Sequence, residues 1–315
     1  MARALGVIGP LAVALAAGFA LTACGSCGSK DTKATPDAGA AASSAGSASG
    51  DGGLLAESKN ATPVAASVVA KYLNPSDLPK YEGPTAILEG NVYVRGPAAP
   101  DLDPPARSSC KNVTDYRLFR EGAADPSGRR PLADAVVGVT GYSGFYVPAR
   151  GDAVSVNIKD CSFDHRTVVL TFGQRLEVVN TEPLNSGTYY APKLTKDLTS
   201  SQMIAAPGNT VKLYFQKPGR DLLVDGMGHG HLYADVYAAV HALHVVTDSA
   251  GHFILPGVPV GEYDATAMHP AFDDGGVHQK LVFKPGQTTH HDFELTYVPK
   301  PKRVEPADGG RPQIH

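Results

Sequence analysis

Tryptophan is absent from the 315 residues, and the chain has only four cysteines and four methionines. Blocks of lysine or arginine are absent too, and the formal net charge is -3, so there is no electrostatic footprint for nucleic acid or an anionic lipid surface. Catalytic signatures are missing. The chain has no Gly-x-Ser-x-Gly elbow, no phosphate-cradling glycine loop and no His-Glu-x-x-His, and its body carries no CxxC redox pair. The best paired carboxylates, Asp101/Asp103 and Asp273/Asp274, stand in Pro- or Gly-rich turns, where solvated turn chemistry is the ordinary explanation. The sequence therefore reads as that of a non-catalytic protein. Past residue 80 no long stretch repeats apolar residues at the helical period, which argues against a helical bundle.

What is abundant is punctuation: 34 glycines and 25 prolines, set between short β-branched or aromatic clusters. Val92 and Val94, Ala135 to Val139, Val154 to Ile158, Val168 to Phe172, Leu176 to Val179, Val211 to Phe215 and Leu222 to Val224 read as strands. Further on, Asp248 and Gly251 suit a hairpin turn, Phe253 and Leu255 share one face, and Pro259 to Gly261 turn the chain into a strand at Tyr263. Earlier, Ala65 to Leu73 predicts a two-turn helix stopped by Asn74-Pro75. The fold class is all-β, as sandwiches or a Greek-key barrel.

At the N-terminus Arg3 precedes an apolar run from Leu5 to Leu21 that ends in Leu21-Thr22-Ala23-Cys24. This resembles the lipobox of bacterial lipoproteins. The resemblance implies a signal peptide over residues 1–23, cleavage before Cys24 and acylation of its thiol, with the protein's membrane contact made through that lipid. Gly6, Gly9, Pro10 and Gly18 weigh against the alternative, a transmembrane helix. Gly25 in place of an aspartate fits transfer to the outer membrane, with the body periplasmic or surface-facing. Residues 24–64, dominated by Ala, Ser and Gly, read as a disordered tether with a span of roughly 30–36 Å.

The block Thr247-Asp248-Ser249-Ala250-Gly251-His252-Phe253-Ile254-Leu255-Pro256-Gly257 with Gly261-Glu262-Tyr263 resembles the signature of carboxypeptidase-regulatory-like, transthyretin-like β-sandwiches. The wider span, with Ala135 to Val139, Asp160-Cys161-Ser162-Phe163 and Gly173 to Asn180, resembles plastocyanin-like, cupredoxin proteins of the methylamine-utilisation type. The resemblance implies copper ligands near Asn185-Ser186, at Gly226, at His229 and near Leu232, and only His229 is a histidine or other donor of the expected kind. A glycine where a blue-copper centre needs its thiolate removes that function.

Two chemical features remain. Cys110 and Cys161 each lie next to an expected strand in an exported protein and are expected to form a disulfide, as the suspected family's cysteine placement also implies; the alternative is two buried thiols. Closing a loop of about 50 residues would contribute roughly 4 kcal/mol. Cys27 has no readable role. Nine of the 11 histidines fall between His229 and His291. In an extended loop Met227, His229 and His231 would project from one side, a donor set suited to copper, while the plainer reading is a solvated Gly-rich loop. His241, His244 and His269 read as surface or sandwich positions, and His290-His291-Asp292 as alternating faces of a strand.

The resulting division is a signal peptide (1–23), a tether (24–64), a short helix and connector (65–83), a cupredoxin-like domain (84–240), a carboxypeptidase-regulatory-like sandwich (241–297) and a flexible tail (298–315). The expected role is a lipid-anchored cell-envelope binding or scaffolding protein with a degenerate cupredoxin site and no required cofactor. The alternative is a periplasmic copper protein using Met227, His229 and His231. A glycan-binding module is third, with Tyr189-Tyr190 as a stacking surface. An envelope protein or a glycan would then be the partner.

Overall fold

The computed structural model describes residues 61–102, 117–196, 203–227, 229, 231–272 and 275–299, all within one compact unit. The signal segment, Cys24, Cys27, the tether up to residue 60, Asp103, Cys110, Asp273, Asp274 and the tail from residue 300 lie outside the described residues. Helix α1 is Ala66–Leu73, and it stops where expected. The Asn74 side chain accepts from the Leu78 N–H and donates to the Leu78 carbonyl, both at 2.8 Å, which closes the turn around Pro75.

Strand β1 (Thr85–Arg95) buries every second residue from Ala86 to Val94, as a strand with one face on a core must. Gly90 belongs to that inward set. A Cβ there would stand 1.9 Å from the His291 carbonyl oxygen, so glycine is what allows the two backbones to meet. After β2 (Arg130–Pro131), β3 (Val136–Thr140) is buried from Val136 to Val139 without alternation, which marks a strand covered on both faces.

The chain then makes a second set of strands: β4 (Ala153–Lys159), β5 (Ser162–Phe163), β6 (Thr167–Thr171), β7 (Arg175–Asn180), β8 (Pro192–Leu194), β9 (Thr210–Tyr214), β10 (Gly219–Asp225) and β11 (Tyr233–Ala239). They form two four-stranded sheets, β5-β4-β7-β9 and β6-β11-β10-β8. Within them β4–β7 and β6–β11 are parallel and the other pairs antiparallel. Val156, Ile158, Leu170, Phe172, Leu176 and Leu223 belong to the core that these strands enclose. These sheets make a β-sandwich, the architecture the cupredoxin-like expectation requires, and Val69 and Leu73 of α1 pack against it.

Then the chain returns to β3 and β1. Strands β12 (His244–Val246), β13 (His252–Pro259), β14 (Gly261–Met268), β15 (Val277–Phe283), β16 (Thr288–His290) and β17 (Phe293–Thr296) complete two further sheets. One is β12-β3-β14-β15, and in the other β1 pairs with β13, β16, β17 and β2. Leu88, Val92, Val137, Phe253, Leu255 and Leu295 fill the core between them. Phe253 and Leu255 do share the buried face.

The division at residue 240/241 does not follow these cores. Residues 85–95 and 136–140 belong with 244–296, and the cupredoxin-like sandwich is inserted between β3 and β12. The physical reason is pairing: without β1, strand β13 would keep an open ladder edge and β16 and β17 would have no neighbour.

One carboxylate stitches the two sandwiches. Asp134, buried and with φ of 61°, accepts two hydrogen bonds from Arg120 (Nε to Oδ2 and Nη2 to Oδ1, both 2.6 Å). Its Oδ1 also accepts the Arg166 N–H at 3.0 Å, just before β6. Strand β6 is buried at all five positions because the second sandwich covers its outer face; Thr171 Oγ1 lies 3.1 Å from His244 Nε2 on β12.

Candidate metal centre

Asp225 ends β10 with its side chain buried. Oδ1 accepts the Ala191 N–H at 2.6 Å, and Oδ2 accepts the Met227 and His229 N–H groups at 3.1 and 3.2 Å. The same Oδ2 lies 2.6 Å from His229 Nδ1. A carboxylate can only accept, so Nδ1 carries the proton and the Nε2 lone pair is left for a ligand. A carboxylate behind a histidine is the usual way to orient a metal-ligating imidazole.

His231 is the unusual residue of the pair. Neither of its buried ring nitrogens makes a hydrogen bond of good distance and angle, although the Cys161 backbone stands near enough to favour the protonated ring. Burial lowers its pKa below the ordinary histidine value, outweighing the support from the Cys161 backbone, so the ring is in the neutral, ligating form. An unsatisfied buried donor and acceptor cost free energy unless something meets them. The His229 and His231 rings stand 6.1 Å apart at 77°. With nitrogen–metal distances of about 2.0 Å, two imidazoles on one ion place their centroids about 5–6 Å apart.

The loop is not the extended segment that the sequence suggests. Asp225 captures two of its amides and curls it, Gly226 and Met227 form a turn, and the Leu232 N–H closes on the His229 carbonyl at 2.8 Å. Met227 is therefore 52% exposed while His231 is turned inward, and the three side chains do not share one side. Among the described residues no group of three or more His, Cys, Asp or Glu side chains is arranged to hold a metal. The donors available are two imidazoles and the Met227 thioether. Leu232, at the expected methionine position, is buried in the core.

Behind His229 stands Tyr190, ring to ring at 5.3 Å. Its hydroxyl donates to Glu182 Oε1 at 3.0 Å, the oxygen that also accepts the Cys161 N–H at 3.1 Å. Burial, helped by Glu182, pushes the phenol well above its ordinary pKa, so it stays protonated. Tyr190 is fully buried and only Tyr189 is exposed, which corrects the paired stacking surface expected for a glycan: adjacent residues in an extended segment face opposite ways. Cys161 is disulfide-bonded, and Cys110, its expected partner, lies outside the described residues.

Three further histidines are buried in packed positions away from this loop. His241 and His244, rings 6.0 Å apart, sit at the seam of the two sandwiches, and burial lowers both, His244 to about 4. His269 is buried against Phe119 and Phe272 and is also lowered to about 4. His290 ends β16, His291 lies beyond it, and Asp292 accepts the Asn91 N–H at 2.8 Å. Among the described residues Asp101 pairs with Arg117 in an isolated β-bridge.

No family model and no curated protein matches this chain. Among solved structures it is similar to amicyanin from Paracoccus versutus, at 16% identity over 29% of this chain and 85% of that one, with a TM-score of 0.25. A reduced amicyanin mutant is matched at 12% identity over 33% of this chain and 98% of that one, with a TM-score of 0.24. A copper-containing nitrite reductase from Thermus scotoductus is matched at 14% identity over 32% of this chain and 25% of that one, also at 0.24. At such scores the fold rests on the strand order and the two cores.

Proposed function

We propose that the protein is a non-catalytic, lipid-anchored envelope protein whose cupredoxin-like sandwich holds one copper ion, preferentially Cu(I), between His229 and His231, with the exposed Met227 thioether joining as a third donor once its turn swings to their side. The observation that carries this reading is the pairing of an imidazole tethered through Nδ1 to Asp225 with a second imidazole whose buried nitrogens make no well-formed hydrogen bond. Thioether and imidazole suit Cu(I), and a thiolate is what a blue centre would add. Gly226 stands where that thiolate is expected, so the role is to hold or hand on the ion, without intense blue colour. Lipid anchoring rests on the Cys24 lipobox; loss of acyl label and of membrane association in Cys24→Ala is the expected result, and unchanged membrane association would sink it.

Titration of the full-length protein with Cu(I) and Cu(II) under a competing chelator tests the site. One Cu(I) per chain is expected, with binding weakened at least about tenfold in His229→Ala and His231→Ala and about tenfold in Asp225→Asn. A stoichiometry near zero, or equal affinity in all variants, leaves a scaffolding or partner-binding lipoprotein with a degenerate site.

A further inference from the structure

The chain leaves the cupredoxin-like sandwich after β11 and enters the other sandwich at β12, and the crossing carries His241 and His244. His244 faces Gly138 across the β12–β3 ladder, and directly opposed residues of an antiparallel pair project from the same face. A Cβ at Gly138 would stand 3.5 Å from His241 Cε1, which puts the His241 ring over the glycine and beside His244. On its far side His244 Nε2 lies 3.1 Å from Thr171 Oγ1 of β6. The Thr171 N–H donates to Gln174 Oε1 at 2.7 Å, and Gln174 Nε2 donates to the Arg150 carbonyl at 2.8 Å. These contacts gather two histidines and an arginine on one stretch of the seam.

What this stretch lacks is negative charge. Among the described residues no carboxylate hydrogen-bonds or pairs with Arg150, His241 or His244, and the acceptor held by the Arg150 guanidinium is the neutral Pro256 carbonyl. Burial lowers the pKa of Arg150 and of His241, and His244 is lowered by burial and by its positive neighbours His241 and Arg150. All three move towards loss of charge, as basic groups enclosed without a counter-ion do. His241 Nδ1 is also buried with no hydrogen-bond partner, which costs free energy unless something meets it. A metal cation would add to the uncompensated positive charge here, whereas an anion would offset it.

We propose that this part of the seam binds a small tetrahedral oxyanion, such as free sulfate or phosphate, between His241, His244 and Arg150. The Thr171 hydroxyl, donating to His244 Nε2, holds that ring's proton on Nδ1, and the anion accepts from the Nδ1–H groups of both rings within the field of Arg150. Charge-assisted bonds of this kind are about twice as strong as neutral ones. Because the anion favours protonated rings, it is taken up together with protons. The proposal is independent of the copper reading, because the two share no residue.

Calorimetric titration of the full-length protein with sodium sulfate, against sodium chloride at matched ionic strength, tests it; sulfate keeps its charge between pH 5.5 and 7.5. Saturable one-to-one binding is expected, about fivefold to tenfold tighter at pH 5.5 than at pH 7.5. Arg150→Gln, at an exposed residue, should weaken sulfate about tenfold at pH 5.5. His241→Phe, which keeps a ring over Gly138 and removes the donor, should weaken it as well; if it does not fold, Arg150→Gln decides. Phosphatidic acid vesicles should not displace sulfate, because rings enclosed between two sandwiches admit a free ion and not a headgroup held in a bilayer. Absence of saturable binding, an equal response to chloride, an affinity unchanged by pH or by Arg150→Gln, or displacement by the vesicles would overturn the proposal. Zn(II) binding that is lost in His241→Phe would mark a metal site and overturn it too.

Discussion

Asp134→Ala should lower stability by about 3 kcal/mol, the largest effect of any single substitution considered, because it removes a buried carboxylate that a partly exposed Arg120 and the Arg166 N–H both use as their acceptor. Three hydrogen bonds converge on this carboxylate, two from Arg120 and one from the Arg166 backbone. Its φ of 61° adds a cost for alanine that asparagine largely escapes. Asp134→Asn should therefore be less damaging, keeping an acceptor while losing the charge. Chemical unfolding measures both. Because Asp134 joins segments of the two sandwiches, the alanine variant should also unfold in two steps where the parent unfolds in one. A loss below about 1 kcal/mol would mean that the seam is held by apolar packing and not by this pair.

Acid should loosen the same seam. His244 and His269 are held at about 4 in the folded chain, and both take the ordinary value of 6.5 when unfolded. Burial is the first cause for each. His244 faces His241, Arg150 and Thr171, and His269 faces Asp134, Arg120 and Arg166. The sign follows from which state binds protons first. As pH falls below 6.5 the unfolded chain is protonated while the folded chain is not, so stability declines until about pH 4, where the folded state begins to take up protons as well. Each histidine should remove about 2–3 kcal/mol between pH 7.5 and 4.5, a large part of a typical domain's stability. The comparison is between denaturant midpoints at the two pH values, for the parent and for His244→Gln and His269→Phe. A parent whose midpoint does not move, or variants that retain its full pH dependence, would refute the assignment.

Much of this fold was legible in the sequence because strand signals are local. Alternation in β1, the unbroken apolar runs of β3 and β6, and the Asp248–Gly251 turn all follow from neighbours within a few residues. The insertion was not legible. Nothing near Thr85–Arg95 announces that its partners are His252–Pro259 and Phe293–Thr296, more than 150 residues away, because ladder pairing depends on where chains meet and not on their composition. The candidate site divides in the same way. Residue types at Met227, His229 and His231 were readable, but the curl imposed by Asp225 and the inward turn of His231 were not. One signal was available for Asp225: an aspartate four residues before a histidine in a Gly-rich turn can reach both its amide and its ring. Tyr190 shows the cost of reading a pair of like residues as one surface, since strand geometry sends Tyr189 outward and Tyr190 into the core.

The central claim is that His229 and His231 ligate one ion together. X-ray absorption at the copper edge of Cu(I)-loaded full-length protein, compared with His229→Ala and His231→Ala, tests it directly. Scattering from two imidazoles and one sulfur is expected in the parent, with one imidazole lost in each variant. A spectrum with no imidazole contribution, or one that neither substitution changes, would contradict the account.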